Sequence, residues 1–334
     1  MKTISIISPC FNEADNVRAC RDAVAALFAP GAPLEGYRRE HILADNDSSD
    51  GTQDILRELA AGDAGVKVIL NARNYGPFRS NFNALRAATG DAVVVFLPAD
   101  LQDPPEMIAE FVRLWESGVE VVAGARINRQ ESLTLRACRA IFYRLVRGLS
   151  DIDIPVNVGE FQLIDRKVWR AVVDHDDHYP YIRGIIASVG FRRAIVPYTW
   201  AARRSGISKN NLPRLIDQAL NGIFSFTNAP MRLCTFAGIA MAALCLLYAA
   251  VSVSLWFVSP TMAPRGMMTL IVSLFFLSGV QLAFMGILGE YVTSIHAQVR
   301  KRPLVVERER INFGEAASEN PVHAMQRQIG ERAA

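Results

Sequence analysis

The sequence predicts an α/β domain built on an open, mostly parallel sheet, followed by two transmembrane helices near the C-terminus. Short β-branched runs alternate with amphipathic stretches over residues 3–127, and polar segments follow several of those runs. Residues 233–289 contain a single charged residue, Arg265. These three observations indicate a soluble domain joined to a membrane-spanning hairpin.

The alternation of strands and helices favours parallel pairing. Five runs rich in Val and Ile have the length of strands, and the stretches between them are long enough for crossover helices. Ligands of such sheets bind beyond the carboxyl ends of the strands, so the residues that follow each run are the candidates for a site. The predicted strands are Ile4–Ser8, His41–Asp45, Val66–Leu70, Ala92–Leu97 and Glu120–Ala125.

Composition excludes several classes of protein. The 334 residues are 51% hydrophobic and show no repeat, which argues against a disordered or fibrous chain. A net charge of +3 is too small to indicate a nucleic-acid partner. Five cysteines without a C-x-x-C pair are typical of thiols in a reducing compartment, and the first residues lack a signal-peptide pattern. We therefore expect the first domain to lie in the cytosol.

Two uncharged runs, residues 233–258 and 266–289, each exceed the roughly 20 residues needed to cross a bilayer core. A short link, Ser259 to Arg265, makes them a predicted hairpin, whereas a buried helical pair in a soluble core is the less favoured alternative. Basic residues flank the hairpin on both sides, so the positive-inside rule places both flanks, both chain termini and the catalytic domain in the cytosol. These residues are Arg203, Arg204, Lys209, Arg214, Arg232, Arg300, Lys301 and Arg302.

Two further segments have the spacing of amphipathic helices at a membrane interface. One spans residues 210–232 and leads into the first apolar run, and the other spans about residues 132–150 and carries a basic face. For the second, an ordinary helix that packs on the core is an equal alternative. The predicted organisation is a catalytic domain over residues 1–209, a juxtamembrane helix over 210–232, a hairpin over 233–289 and a cytosolic tail over 290–334.

Two acidic segments follow predicted strands, Asp45–Thr52 and Pro98–Pro105. Loops of this kind on one sheet edge suit a nucleotide and a hard divalent cation, for which Asp100 and Gln102 can supply oxygen ligands. Neither the glycine fingerprint of dinucleotide-binding folds nor a P-loop lysine is present in the sequence. The pattern therefore predicts a site that binds a nucleotide together with Mg²⁺ or Mn²⁺, rather than a dinucleotide site.

Each loop also has a purely structural interpretation. Asp103 precedes Pro104-Pro105-Glu106 and is predicted to be a helix N-cap. Asp45 is predicted to contact a base, with a buried acceptor in its own turn as the alternative. Residues 48–51 either close a turn that starts the next helix or take part in the site.

At these residues the sequence resembles glycosyltransferase family 2 enzymes of the GT-A fold, and in particular the polyprenyl-phosphate glycosyltransferases similar to dolichol-phosphate mannose synthase. The likeness spans about residues 3–300 and includes the C-terminal hairpin. Its motifs are Pro9-Cys10-Phe11-Asn12-Glu13, Asp45–Thr52, Asn71-Ala72-Arg73-Asn74-Tyr75-Gly76, Ala88-Thr89-Gly90-Asp91, Ala99–Pro105, Gly124-Ala125-Arg126 with Arg129, Gly159–Arg166, and Arg203 with Gly206, Ser208 and Lys209.

The resemblance implies roles for individual residues. Asp100 and Gln102 would bind Mg²⁺ or Mn²⁺ on the donor diphosphate, and Asp100, Glu160 and Arg126 are the candidate catalytic residues. Arginine forks match phosphate oxygens, so basic residues are candidates for the donor or acceptor phosphates: Arg126, Arg129, Arg203 and Lys209. Arg183 is a further possible phosphate contact, with solvated surface as the favoured alternative. The residues expected to hold the nucleotide sugar are Pro9, Phe11, Glu13, Asp45, Asn46, Ala99 and Asp100.

Three positions depart from the family pattern. Pro98 stands where the usual Asp-x-Asp begins, so one expected carboxylate is absent. Asn46 replaces the second acidic residue of the nucleotide loop, and Glu160 replaces the usual Asp of the Gly-Asp-Phe motif. The first change puts metal binding and sugar identity in question, and the last moves a carboxylate by one methylene.

The resemblance implies a metal-dependent hexosyltransferase of the cytoplasmic membrane. It would transfer a sugar with inversion from a UDP- or GDP-sugar to a polyprenyl phosphate such as undecaprenyl phosphate, for cell-envelope glycan or glycolipid modification. It also implies a homo-oligomer, for which the resemblance suggests a tetramer. The alternatives are transfer to a lipid hydroxyl such as diacylglycerol, or a degenerate membrane scaffold; a processive synthase is disfavoured because Gln-x-x-Arg-Trp is absent from the sequence.

Overall fold

The computed structural model describes residues 1–127, 158–175, 177, 180–199, 229–258, 267–299 and 303–314. The chain divides into two compact units, which are considered separately. The first comprises Met1–Tyr143, Ile152–Asn211 and Arg302–Ala334, and the second comprises Arg144–Asp151 and Leu212–Lys301. The predicted interfacial helix at about 132–150 and most of the one predicted over 210–232 lie outside the described residues, and residues 229–232 belong instead to the first long helix of the second unit.

The first unit contains an eight-stranded sheet with the order β7-β5-β6-β4-β1-β2-β3-β8. Pairing is parallel between β1 and β2, β2 and β3, β1 and β4, and β5 and β7. It is antiparallel where β6 meets β4 and β5, and where β8 meets β3. The strands are β1 Thr3–Cys10, β2 Arg38–Asp45, β3 Val66–Asn71, β4 Ala92–Val94, β5 Val121–Ile127, β6 Val158–Asp165, β7 Arg193–Thr199 and β8 Glu307–Ile311.

Helices cover both faces of this sheet. Ile6 belongs to the main apolar core, and Ile7, which points to the opposite face, is equally buried. Such two-sided burial is the arrangement expected of parallel strands. The helices of this unit are α1 Val17–Ala26, α2 Thr52–Gly62, α3 Pro77–Arg86, α4 Met107–Glu116, α5 Arg166–Val173 and α6 Ile182–Ser188.

The predicted fold class is confirmed, and each of the five predicted strands is present. The fourth is shorter than predicted, because regular pairing ends at Val94. Beyond it, the Val95 amide still donates to Gln162 and the Leu97 amide donates to Ile7, so the extended chain continues between its neighbours. Strands β6, β7 and β8 were not predicted from the sequence: β6 and β8 supply every antiparallel pairing, and β7 and β8 form the two edges of the sheet.

The second unit has two long helices, α7 Ala229–Val258 and α8 Met267–Val299. They contain 30 and 33 residues, or about 45 and 50 Å at 1.5 Å per residue, more than a bilayer core of about 30 Å. Within the described part of the chain, one segment, Phe276–Thr293 of α8, has the hydropathy of a membrane span. The helix α8 runs ten residues beyond the predicted end at Gly289, because a single charge such as Glu290 ends an apolar run but does not end a helix.

A buried carboxylate ties the amino ends of the strands together. Glu40 of β2 accepts hydrogen bonds from Lys67 Nζ at 2.5 Å, from Thr89 Oγ1 at 2.7 Å and from the Ser5 hydroxyl. Burial alone would raise the pKa of Glu40, but these hydrogen bonds outweigh burial and lower the pKa below its ordinary value. The Ala88–Asp91 motif therefore stabilises the sheet, at the end opposite to the candidate site.

We expect Glu40→Gln to lower the free energy of unfolding by about 2–3 kcal/mol, because it removes the buried partner of the half-buried Lys67 and weakens the bonds from Ser5 and Thr89. Thermal unfolding of the detergent-purified chain measures the change, with Glu58→Gln at the exposed Arg18–Glu58 pair as the matched control. Since the pKa of Glu40 is lowered on folding, its contribution is complete above the ordinary value of 4.5 and is lost as the pH falls. An equal unfolding temperature in both variants would contradict this role.

Candidate functional site

The carboxyl ends of β1, β2, β3 and β4 meet at one edge of the sheet, because these strands are parallel. Strand β6 runs the other way, so its first residues reach the same edge. Its register pairs Val94 with Leu163, and continuing that register sets Glu160 opposite Leu97. Glu160 therefore lies beside the loop that carries Asp100, although the two residues are far apart in sequence.

Backbone amides and short side chains lock the first two loops of this edge to each other. The Asn12 amide donates to Ser48 Oγ at 2.8 Å, and the Ser49 amide donates back to Asn12 Oδ1 at 2.9 Å. The Glu13 amide donates to Thr52 Oγ1 at 3.0 Å. Asn12 holds a left-handed φ of 55°, which asparagine tolerates better than most residues. The first two loops are thus linked to each other before any ligand binds.

Asp45 lies at the end of β2 and is fully buried. Its carboxylate accepts from the Ser48 amide at 3.0 Å, from Ser48 Oγ at 2.5 Å and from Gln53 Nε2 at 3.0 Å. Burial raises the pKa of Asp45, and the bonds from Ser48 and Gln53 only partly offset it. This geometry favours the turn-acceptor alternative, and a contact with the base stays a prediction. Asp50 likewise accepts from Thr52, as the turn interpretation of residues 48–51 expects.

Asn46 links the loop after β2 to the loop after β3 through its side-chain amide. Its Oδ1 accepts from the Tyr75 amide at 2.9 Å and from Asn71 Nδ2 at 3.2 Å, while its Nδ2 donates to Asn74 Oδ1 at 2.8 Å. A carboxylate could accept the first two bonds but has no hydrogen to donate to Asn74. The departure from an acidic residue at this position therefore fits the asparagine-rich loop that follows β3.

Asp100 and Gln102 lie on the loop that follows β4. Asp100 is 6% exposed, and its Oδ1 accepts from the Gln102 amide at 3.2 Å. The described residues contain no group of three His, Cys, Asp or Glu side chains that could hold a metal by themselves. One carboxylate and one amide oxygen suit a hard cation that completes its shell with substrate phosphates and water. The donor set therefore fits a cation shared with a diphosphate.

Asp103 is not a helix N-cap, so this prediction is wrong. The helix α4 begins at Met107, and the Asp103 carboxylate instead accepts a bidentate pair from Arg126, at 2.8 Å from Nη2 and 3.2 Å from Nε. The Tyr198 hydroxyl donates to the same carboxylate and accepts from Arg126 Nε at 3.0 Å. A buried charge is more costly to leave unpaired than a helix end is to leave uncapped, which explains why the ion pair prevails.

The Asp103–Arg126–Tyr198 cluster needs a glycine beside it. A Cβ atom on Gly124 would lie 2.8 Å from the Tyr198 ring, too close for any other residue. Burial lowers the pKa of Arg126, but Asp103 and Tyr198 more than compensate and raise it. Arg126 is thus a fixed positive charge at the end of β5, and its role toward a substrate phosphate stays a prediction.

Glu160 is the second acidic side chain of the site. Its Oε1 lies 3.8 Å from Arg183 Nε, and its Oε2 is buried without a hydrogen-bond partner among the described residues. Burial raises the pKa of Glu160, and the charges of Arg183 and Arg126 oppose that rise. An unpartnered buried oxygen is costly in a closed core, so its place at this edge is consistent with a substrate-facing group.

Arg183 belongs to this site rather than to the solvated surface, so the favoured interpretation of the sequence is wrong. Its Nη1 donates to the Val158 carbonyl at 3.3 Å, and its guanidinium lies over the Tyr181 ring, 4.7 Å from the centroid. Only a quarter of its side chain is exposed. No sequence motif identifies Arg183, because Val158 and Glu160, which it contacts on β6, precede it by more than twenty positions.

Other predicted residues occupy the same edge or fall outside the described part. Pro9 is the penultimate residue of β1, Phe11 and Glu13 follow the strand, and Ala99 is buried beside Asp100. Contacts of these four with a nucleotide sugar stay predictions. The predicted phosphate residues Arg129, Arg203 and Lys209 lie outside the described residues.

Two family models match the chain. Residues 5–173 match the model described as Glycosyl transferase family 2, and residues 229–295 match the model described as GtrB C-terminal hairpin. The second match spans α7, the link and most of α8. The chain thus carries both parts that the sequence analysis expected, a transferase domain and a C-terminal hairpin.

Several curated proteins are similar over almost the whole chain. The SfII prophage-derived bactoprenol glucosyl transferase of Shigella flexneri is 35% identical over 305 residues, which cover 90% of this chain and 96% of that protein. The uncharacterized glycosyltransferase YkcC of Bacillus subtilis is 36% identical, with coverages of 90% and 92%. Among solved structures, the mannosyltransferase PcManGT of Pyrobaculum calidifontis, in complex with GDP-Man and Mn²⁺, aligns with a TM-score of 0.42 and 20% identity, covering 78% of this chain and 81% of that one.

We expect Arg126→Ala to lower the free energy of unfolding by about 3–5 kcal/mol, because Asp103 would stay buried and unpaired. Thermal unfolding in detergent measures the loss. The matched control is Arg113→Ala, which breaks the exposed Arg113–Glu110 pair and should leave the unfolding temperature unchanged. If Arg126→Ala instead lost activity at full thermal stability, the guanidinium would serve a substrate rather than Asp103.

Proposed function

Because the chain belongs to glycosyl transferase family 2, we propose that it transfers a sugar from a nucleoside-diphosphate sugar to a polyprenyl phosphate at a membrane surface. The observation that carries the proposal is full-length similarity to bactoprenol glucosyl transferases, which includes the C-terminal hairpin. The buried acidic and basic groups at one sheet edge support it. The names of these relatives make glucose the first sugar to test.

The reaction needs alignment and charge control more than a strong base. An oxygen of the lipid phosphate attacks the anomeric carbon, a new carbon–oxygen bond forms, and the bond to the diphosphate breaks. The nucleoside diphosphate leaves with the electron pair, and a single direct displacement inverts the anomeric carbon. A phosphate monoester already carries between one and two negative charges at pH 7, so no proton has to be removed from it first.

The loops after β1, β2 and β3 form the proposed donor platform. Their mutual hydrogen bonds hold Pro9, Phe11 and Glu13 in place, so little order has to be gained when the nucleotide binds. Asp100 and Gln102 would hold Mg²⁺ or Mn²⁺ on the diphosphate. A cation bound there would act as a Lewis acid and stabilise the charge of the departing group.

Arg126 has a supporting part in this proposal. Its pairing with Asp103 fixes the loop that carries Asp100 against the end of β5, and its positive charge faces the side of the site where Glu160 lies. The acceptor phosphate would be held by the basic residues outside the described part, Arg129, Arg203 and Lys209. Arginine is suited to this task because its fork matches two phosphate oxygens at once.

Glu160 has a positioning role in the main proposal, where its carboxylate orients the sugar or the acceptor. Its buried, unpartnered oxygen also favours a second candidate, transfer to a lipid hydroxyl such as that of diacylglycerol. A hydroxyl must lose its proton during attack, and a carboxylate with a raised pKa is a suitable base. The two candidates differ in whether the carboxylate has to accept a proton.

Connectivity supports a hairpin that enters and leaves the membrane on one side. The chain reaches α7 after β7 of the catalytic unit, and after α8 it returns to the same unit as β8, within the seven residues 300–306. Both ends of the helical pair are therefore tethered to one folded unit. If α8 spans the bilayer, α7 must span it as well, which supports the proposed two-pass topology. The basic residues that flank the helical pair support a catalytic domain on the cytosolic side.

The first experiment incubates detergent-purified chain with undecaprenyl phosphate, Mg²⁺ or Mn²⁺, and UDP-glucose within a panel of UDP- and GDP-sugars. We expect a lipid-linked monosaccharide by mass spectrometry and at least a tenfold loss in Asp100→Asn. The matched control, Asp54→Asn, changes an exposed carboxylate of α2 and should keep full activity. Full activity in Asp100→Asn, or no product with any donor, would count against the proposal.

A second experiment tests Glu160 through pH. The pKa of Glu160 is raised, so the acidic limb of activity should lie above the ordinary value of 4.5. The nearby charge of Arg183 lowers this pKa, and Arg183→Gln should therefore move the limb to higher pH. Arg170→Gln, an exposed arginine of α5, is the control and should leave the profile unchanged. Identical profiles in the wild type and Arg183→Gln would remove Glu160 as the titrating group.

A further inference from the structure

The segment that follows the helical pair is built into the catalytic unit. Strand β8 pairs antiparallel with β3, and the Ala72 amide donates to the Val306 carbonyl at 2.9 Å. Leu304 and Val305 are buried. The proposed function assigns no role to β8, although this strand extends the sheet on the side where the nucleotide loops lie.

One side chain of β8 reaches the loop that follows β2. Arg308 Nη2 lies 3.2 Å from Asp47 Oδ1 and 3.4 Å from the Ala72 carbonyl. Asp47 directly follows Asn46, the residue that links the loops after β2 and β3. Its φ of 64° lies in the left-handed region, which aspartate adopts more readily than most residues other than glycine. Arg308 therefore contacts the donor loop where the backbone turns back through a left-handed residue.

The strand does not depend on Arg308 for its own docking. Glu307 accepts from Asn83 Nδ2 of α3 at 2.5 Å, and Asn312 Nδ2 donates to the carbonyls of Ala60 and Val66 at 2.7 and 2.8 Å. Glu309 pairs with Arg57 of α2 at 3.1 Å. These contacts hold β8 at both ends, so the Arg308–Asp47 pair is an additional link between the strand and the loop.

The Arg308–Asp47 pair is poorly suited to stabilising the fold. The side chains are 50% and 37% exposed, and ion pairs at such positions add little to global stability. A weak link still matters for a loop with two accessible conformations, because it shifts the population toward the conformation it favours. A loop held in its binding-competent conformation binds its ligand more tightly.

We propose that Arg308 is a positioning residue of the donor site, which holds the Asp45–Thr52 loop through Asp47 in the conformation that receives the nucleotide. This rests on the proposed function, in which that loop takes part in binding a nucleoside diphosphate. The strand that returns from the membrane helices thereby completes the donor site. Donor binding and the C-terminal segment are coupled within one chain.

The test is nucleotide binding by the full chain in detergent, measured by titration calorimetry with UDP and with GDP. Arg308→Ala should weaken binding of the preferred nucleotide about threefold to tenfold. Arg57→Ala is the matched control, because it removes the other exposed arginine that pairs with β8 at a distance from the loop, and it should bind as the wild type does. Both variants should keep the wild-type unfolding temperature.

Charge reversal separates positioning from a general effect of the strand. Asp47→Arg should weaken nucleotide binding, and the double variant with Arg308→Asp should recover it. In the transfer assay, Arg308→Ala should raise KM for the donor and leave kcat within twofold. Equal nucleotide affinity in Arg308→Ala and the wild type would overturn the inference while leaving the proposed function intact. A wild-type chain that binds neither nucleotide would overturn both.

Discussion

The buried ion pair between Asp103 and Arg126 is the interaction on which the candidate site depends. It connects the loop that follows β4 to the end of β5, and the Tyr198 hydroxyl adds β7 to the same cluster. A buried charge must be paired, so the three segments cannot separate without a large cost in free energy. Asp100 thereby gains a fixed position three residues before Asp103, and Glu160 gains a positive charge nearby.

The carboxylates of the site fall into two groups, those that stabilise the loops and those that are candidates to contact a substrate. Asp45, Asp50 and Asp103 accept hydrogen bonds from their own surroundings, so they stabilise the loops. Asp100 and Glu160 lie closer to the place where a substrate would bind. In the proposed function this contrast would favour binding of a cation and a donor diphosphate, because loops that are already linked lower the ordering cost of binding and few carboxylates are left to repel the phosphates. Arg126 and Arg183 further moderate that repulsion.

Much of the fold was accessible from sequence, and the parts that were missed share a physical cause. The predicted strands are buried β-branched runs, whose burial on both faces makes them conspicuous. Strand β8 reads Glu-Arg-Glu-Arg-Ile and resembles a solvated tail, because an edge strand exposes its charges. The Asp103 prediction failed because Pro104-Pro105-Glu106 imitates a helix start. Its partner, Arg126, is 23 residues away, and only the folded sheet brings the two together.

In the proposed reaction the nucleophile is a phosphate oxygen on a membrane lipid. The most direct measurement offers the purified chain an equal mixture of undecaprenyl phosphate and diacylglycerol in the same micelles, with one nucleotide sugar and Mg²⁺. Mass spectrometry then counts the two products. We expect nearly all of the sugar to appear on undecaprenyl phosphate. Sugar on diacylglycerol alone would contradict the proposed acceptor and would favour Glu160 as the base.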